Sequence, residues 1–331
     1  WRSVARPACL GRPPPGWFAP PAVCRQFNPA GLESGFGQGL WSRQSVKSSV
    51  SRLSLWLLLT PFLLWIVLLV LLPHLQMLRV SFQVRESWDT IAWGIEQYQN
   101  FFTESYYWRT FVRTGVMSLF TTFLTLIIAF PIAWYIARLA RGRSKGILFL
   151  ACLIPFWASE LVRTYGWMIL LRESGLFSSW LQALGWVDGP VEMLYNDVAV
   201  IIGLVYNGLL FMVVPLVTTL DGMDENLVEA GYDLGGGHGT VLREIVVPWA
   251  MPGIVSGCIV VFMLTLGSYL TPVLMGGKDS AWFTEQIFTQ FITRFNWEQG
   301  AALGVLLLVL SSVIVWLGLK ISGQSLRKVM G

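Results

Sequence analysis

Two groups of residues in this chain combine types and spacings that do chemistry. The first is Glu160 with Arg163, three apart inside an otherwise apolar stretch, so that on a helix they share a face. An ionisable residue within such a stretch is a functional-site candidate by default. Trp157, Thr164 and Trp167 fall on or near the same face at helical spacing. A carboxylate between two tryptophans suits an ammonium group, by charge and by cation–π attraction. The same two charges have a plainer use, as an intrahelical Glu160–Arg163 pair that neutralises both near a membrane interface. Tyr206 and Asn207, and Ser268 and Tyr269, are further polar groups in apolar surroundings. Each taken alone reads first as a helix–helix hydrogen bond and second as a solute contact.

The second group is mechanical. Glu229-Ala230-Gly231, Gly235, Ile245 and Pro248 lie in one polar loop, 221–250, between two long apolar stretches. Asp221 or Asp224 can cap a short helix running to about Leu234, with acidic residues in its N-terminal half. Leu227, Gly231 and Leu234 would share a face that Ala230 and Gly231 keep small, open to close approach by another backbone. Gly235-Gly236-Gly237 stops that helix. Thr240–Val246 forms a second one, with Val241, Leu242, Ile245 and Val246 on an apolar side, and Pro248 breaks it before the next span. No G-x-x-x-x-G-K-[ST] run occurs, and the glycines at 235–239 have no lysine to reach a phosphate, so they read as helix termination.

The elements that must position these groups are membrane helices. Apolar residues make up 54% of the 331, charged ones 13%, and the mean hydropathy is +0.59; a soluble domain carries about 25% charged residues. Six segments are apolar over the roughly 20 residues that cross a bilayer: Leu53–Leu72, Thr114–Ala137, Ile147–Leu171, Val198–Leu220, Pro252–Met275 and Ala301–Leu319. The expected class is therefore an all-α membrane protein of six transmembrane helices, with the first standing outside a five-helix core. The net charge of +4 is spread over short loops, which argues against nucleic acid and for positive-inside orientation. Arg138, Arg141, Arg143 and Lys145, with Lys47 and Arg52 before the first span and Lys320, Arg327 and Lys328 after the last, place both termini and loop 221–250 in the cytoplasm.

No metal or cofactor is expected. His74 and His238 are too few for a haem or zinc site, and Cys9, Cys24, Cys152 and Cys258 form no CxxC pair. Residues 1–50, rich in Pro, Gly, Arg and Ser, read as a disordered tail or as upstream sequence from a mis-called start; a regulatory arm is the sharper alternative. The transmembrane domain then covers 51–331.

The loop resembles a known family. Glu229-Ala230-Gly231, three residues, Gly235, nine residues, Ile245-Val246-Val247-Pro248 is similar to the EAA loop of the inner-membrane permeases of ABC importers, with Gly231 in place of the second Ala and Val247 in place of Leu. The Ala-to-Gly change weakens an isolated helix by about 1 kcal/mol. Tyr98-Gln99-Asn100-Phe101-Phe102, Pro155-Phe156-Trp157 with Val162–Trp167, and Gly267–Pro272 with Gly276-Gly277 resemble the polyamine subgroup. The resemblance runs from about Leu53 to the C-terminus. It implies the type I importer permease fold, a non-catalytic subunit, and a helix around Glu229 that docks on a cytoplasmic ATPase. The implied partners are two ATPase subunits, a second permease (identical or related) and a periplasmic solute-binding protein. The implied solute is putrescine or spermidine, with opines, phosphonates or amino-acid-like solutes as the alternative class.

Two other functions are weighed against this. An ion-coupled secondary carrier acting without an ATPase should show several intramembrane carboxylates and symmetry between halves; this chain has Glu160 and no repeat. A membrane anchor of a redox enzyme should carry histidines at haem spacing, which His74 and His238 do not provide.

Overall fold

The computed structural model describes residues 52–85, 91–278 and 280–321; the tail at 1–50, Trp88, Arg327 and Lys328 lie outside them. The chain divides into two units, Trp1–Pro61 and Phe62–Gly331. Of the first, only the start of α1 (Arg52–Ile66) is described. The packing and the sites described below concern the second.

That unit is almost wholly helical. A π-turn at Val67–Leu71 leads into α2 (Leu72–Ser81). A short antiparallel hairpin, β1 (Gln83–Arg85) with β2 (Ile91–Trp93), and α3 (Glu96–Thr103) precede α4 (Ser105–Trp134), which passes through a π-turn at Tyr135–Leu139. Then come α5 (Arg143–Leu153), α6 (Glu160–Leu171), α7 (Leu176–Ala183) and α8 (Asp197–Asp221). The loop helices α9 (Glu225–Asp233) and α10 (His238–Val241) lead to α11 (Val247–Leu266) and α12 (Leu270–Met275). Finally α13 (Phe283–Phe288) precedes α14 (Trp297–Ile321).

Among the described residues, five continuous helical stretches are long and apolar enough to cross a membrane: Trp56–Ser81, Ser105–Leu139, Asp197–Asp221, His238–Leu266 and Trp297–Lys320. The third expected span, Ile147–Leu171, is not one helix. It breaks at a 3₁₀ turn, Ile154–Trp157, and bends by 95° before Glu160. Pro155 lies in that turn, Ala158 is extended (ψ 140°), and Ser159 restarts the helix as an N-cap, its Oγ accepting from the Val162 N–H at 3.4 Å. The fifth expected span is interrupted too. Its helix ends at Leu266, and Gly267, Ser268 and Tyr269 form a break before α12.

The core is the contact of α4, α8 and α11. Ala129, Ala133, Met212, Val213, Leu216, Ala250 and Val261 are all buried there. Without a hydrophobic drive between helices in lipid, small residues at the contact let backbones approach. Gly253 and Gly257 supply this on α11. A Cβ on Gly257 would stand 2.7 Å from the Met212 Sδ, and one on Gly253 would stand 2.5 Å from the Thr219 Oγ1. From Phe62 to Leu72 the first span presents largely exposed apolar side chains. At its end α2 packs along α14, with Met77 against Gly304.

Candidate functional site

The break in the third expected span builds the site. Restarting the helix at Ser159 puts Glu160 in its first turn and Arg163 one turn on. The break in the fifth places Ser268 and Tyr269 opposite, with Thr271 at the start of α12. Asn207 on α8 closes the side. Glu160, Arg163, Asn207, Ser268 and Tyr269 line a cavity of about 540 Å³, with Phe156 and Phe211 as its apolar walls.

Its polar groups are only partly satisfied. The Asn207 amide donates to the Thr271 Oγ1 at 3.2 Å, and the Thr271 hydroxyl donates to a Glu160 carboxylate oxygen at 3.4 Å. The Asn207 Oδ1, the Ser268 Oγ and the Arg163 Nε are buried without a hydrogen-bond partner. A buried polar atom left unpaired costs about 1–3 kcal/mol, so three such atoms on the residues of one cavity lining are costly to the fold as it stands. The wall itself is firm. Thr284 on α13 donates to the Ser268 carbonyl at 2.6 Å, and Tyr269 stacks on Phe288 with centroids 4.4 Å apart. At the far end of α8, Asp197 pairs with Arg113 and accepts from Ser280 at 2.7 Å, which ties the preceding loop to α4.

Several expectations are corrected here. Glu160 and Arg163 form no ion pair; the guanidinium lies instead over the Phe156 ring, 5.6 Å from its centroid. Trp157 belongs to the 3₁₀ turn, not to the helix of Glu160, and is 84% exposed. Trp167 turns to α7 and α8, stacking on Phe177 and meeting Tyr206 edge-on at 5.5 Å. No tryptophan pair brackets the carboxylate. Tyr206 lines a separate apolar cavity between α4, α5 and α8, also of about 540 Å³, which shares Arg163 and Phe156 as a common wall. Glu160 itself is exposed at the open side of its cavity. Thr271, which bridges Asn207 to Glu160, was not singled out from the sequence, although it stands one turn beyond Ser268.

The loop at 221–250 forms the second region. Asp224 caps α9, its Oδ1 accepting from the Asn226 N–H at 3.1 Å. Gly235 ends it with φ +81°, a conformation that a side chain disfavours, and the Gly236 N–H returns to the Gly231 carbonyl at 3.1 Å. Glu229 and Ala230 lie on the exposed side. Gly231 does not. It is buried, and a Cβ there would come within 2.6 Å of the Ile245 Cδ1 and 3.2 Å of a Val241 methyl. The small residue therefore serves packing inside the loop, while Leu227 and Leu234, the latter 89% exposed, face away. Nor does Pro248 break the chain. Helix is continuous from His238 to Leu266 because a π-turn at Leu242–Val246 precedes it, with the Val247 N–H bonded to the Leu242 carbonyl. The wider turn accommodates a residue that has no N–H to donate and whose ring would crowd a regular helix.

A broken-helix cavity within a small-residue-packed bundle, with a structured polar loop between two spans, defines a multi-pass membrane component of a transport system. Residues 116–328 match the family of binding-protein-dependent transport system inner membrane components, and the chain belongs to that family. It is similar to the spermidine/putrescine transport system permease protein PotB of Escherichia coli, at 33% identity over 253 residues, covering 76% of this chain and 91% of that protein. The protein of the same name from Haemophilus influenzae is 32% identical over 270 residues, covering 80% and 93%. In fold it matches a chain in the crystal structure of a bacterial alginate ABC transporter in complex with an alginate pentasaccharide-bound periplasmic protein, at a TM-score of 0.69, 15% identity, and 85% and 96% coverage. The chain is thus a non-catalytic, inner-membrane permease subunit of an ABC importer of the type I fold, and the ATPase is a separate chain. A carrier working without an ATPase and a redox anchor are set aside.

Proposed function

We propose that this permease subunit forms the path for a polyamine such as putrescine or spermidine, by ATP-driven alternating access. The observation that carries this reading is the Glu160 cavity. One carboxylate stands beside two acceptor oxygens without partners, Asn207 Oδ1 and Ser268 Oγ. A primary ammonium offers three donors and one positive charge, which such a group accepts. The apolar walls at Phe156 and Phe211 suit the methylenes between ammonium groups. Polyamine relatives at about a third identity support the same class.

Loop 221–250 is read as the cytoplasmic docking element, with Glu229 and Ala230 on the surface that meets the ATPase and Gly231, Gly235, Ile245 and Pro248 giving it shape. The Lys and Arg bias puts it and both termini inside. The assembly comprises this subunit, a second permease, two ATPase subunits and a periplasmic binding protein. Closure of the ATPases moves α9, and the spans rock about the cavity between two states.

A second reading is favoured by Arg163, which also lines this cavity and whose buried Nε has no partner: a solute carrying a carboxylate beside its amine, such as an opine or amino acid, would use both charges. Uptake by the complete transporter separates the two. Labelled putrescine uptake should be competed by spermidine and not by an opine. Competition by the opine alone would transfer the assignment to carboxylated solutes.

A further inference from the structure

The structure places the coupling loop and the solute cavity at two ends of one loosely held helix. None of the residues of α5 is buried; Leu148, Phe149 and Cys152 only lean on the core. At its far end, α5 runs through the 3₁₀ turn and the 95° bend directly into Glu160. At its near end it follows a turn in which Gly142 has φ +60°, a compliant link to α4. One ion pair fastens that end elsewhere: the Lys145 ammonium, in the first turn of α5, meets the Asp221 carboxylate, the last residue of α8. Two residues on, Met223 is buried, and its carbonyl accepts from Arg138 at 2.9 Å. Asp224, the cap of α9, follows at once. The attachment of α5 therefore sits at the hinge of the loop helix.

We infer that α5 is a lever, fastened by Lys145–Asp221 to the root of α9, that carries movement of the coupling loop to Glu160 about the bend at 154–159. This rests on the transport reading above and deepens it, since it names the route by which the motor reaches the cavity. Its 11 residues span about 16 Å, enough for a small rotation at the loop to shift the first turn of α6. The pair is half-exposed, at 33% and 49%, so it biases the lever and does not weld it. Arg138 has a different part. It holds the loop's root to the end of α4, which stays with the core.

The test uses the complete transporter with its ATPase, in a chain whose only cysteine is Cys152 on α5. Two quantities are read: the rate at which a maleimide labels Cys152 in nucleotide-free and ATP-bound states, and putrescine taken up per ATP hydrolysed. In the parent chain the labelling rate should differ between states. In Lys145→Glu and in Asp221→Lys that difference should shrink, and uptake per ATP should fall about fivefold, the scale of one exposed ion pair. The swapped double variant Lys145→Glu/Asp221→Lys should recover both, which a merely misfolded protein would not do. The lever is overturned if ATP leaves Cys152 labelling unchanged in the parent chain. It is equally overturned if the single variants, present at normal levels in the membrane, keep the full difference. Labelling that responds to ATP and to the charge swap, without putrescine uptake, retains the lever and removes the polyamine assignment.

Discussion

The loop at 221–250 and the cavity at Glu160 are built on opposite principles. In the loop the polar and tight positions are accounted for: Asp224 caps α9, Gly235 supplies the turn, and Gly231 is filled by Val241 and Ile245. In the cavity, Asn207 Oδ1, Ser268 Oγ and Arg163 Nε remain buried without partners. The first has one good arrangement, which suits the docking role proposed for it. The second is left under-satisfied, which on the proposed function leaves donors and acceptors for a passing solute. A transporter needs both, one stiff part to be pushed and one part whose best partner is not itself.

Substitutions should separate the two regions. The largest effect is expected at the loop's exposed face. Glu229→Lys reverses a charge that touches nothing in the packing of the loop, so the protein should insert and fold as before while ATP-driven uptake is lost. Wild-type uptake together with normal ATPase co-purification in that variant would remove the docking role. Next comes the loop's interior. Gly231→Leu overpacks a filled site, and the loop should lose about 1–3 kcal/mol, read as faster proteolysis between 221 and 250. Pairing Gly231→Ala with Ile245→Val removes the Cδ1 that a Cβ would strike, and the loop should then be as stable as wild type or more so, by up to about 1 kcal/mol of helix propensity. Failure of that pair to recover would mean that Gly231 is needed for its backbone and not for its size. The smallest effect belongs to the cavity wall. Ser268→Ala deletes a buried hydroxyl without a partner, so thermal stability in detergent should rise, by about 1 kcal/mol, while uptake falls. A drop in stability would show that the hydroxyl is satisfied in the working protein.

The spans were legible because hydropathy over twenty residues is a coarse property that a local break does not erase. The breaks were not legible for the same reason. Ile154–Ser159 and Gly267–Tyr269 sit inside stretches whose composition is still that of a span, so Trp157 was placed on a helix it does not join. The chemistry around Glu160 followed a middle course. Its residue types pointed to a site, and Arg163, Asn207, Ser268 and Tyr269 do line the same cavity. Their pairing depended on the 95° bend, which separates the Trp157 side chain from Glu160 and lays Arg163 on Phe156. Gly231 was legible as a small residue on a helix face but not as one facing inward. That depends on Val241 and Ile245 returning from the next helix. Pro248 looked like a stop because a π-turn leaves no mark in composition.

On the proposed function, Glu160 binds a cationic group of the solute in a cavity moved by a separate motor. ATP-driven uptake of labelled putrescine into proteoliposomes, with the ATPase and binding protein present, tests it in one measurement on wild type and Glu160→Gln. Glutamine keeps the shape and removes the charge. A hydrogen bond to a charged group contributes about 1.5–3 kcal/mol, so uptake at low solute should fall at least about tenfold while ATP hydrolysis continues. Equal uptake kinetics in the two proteins, at equal amounts in the membrane, would contradict it.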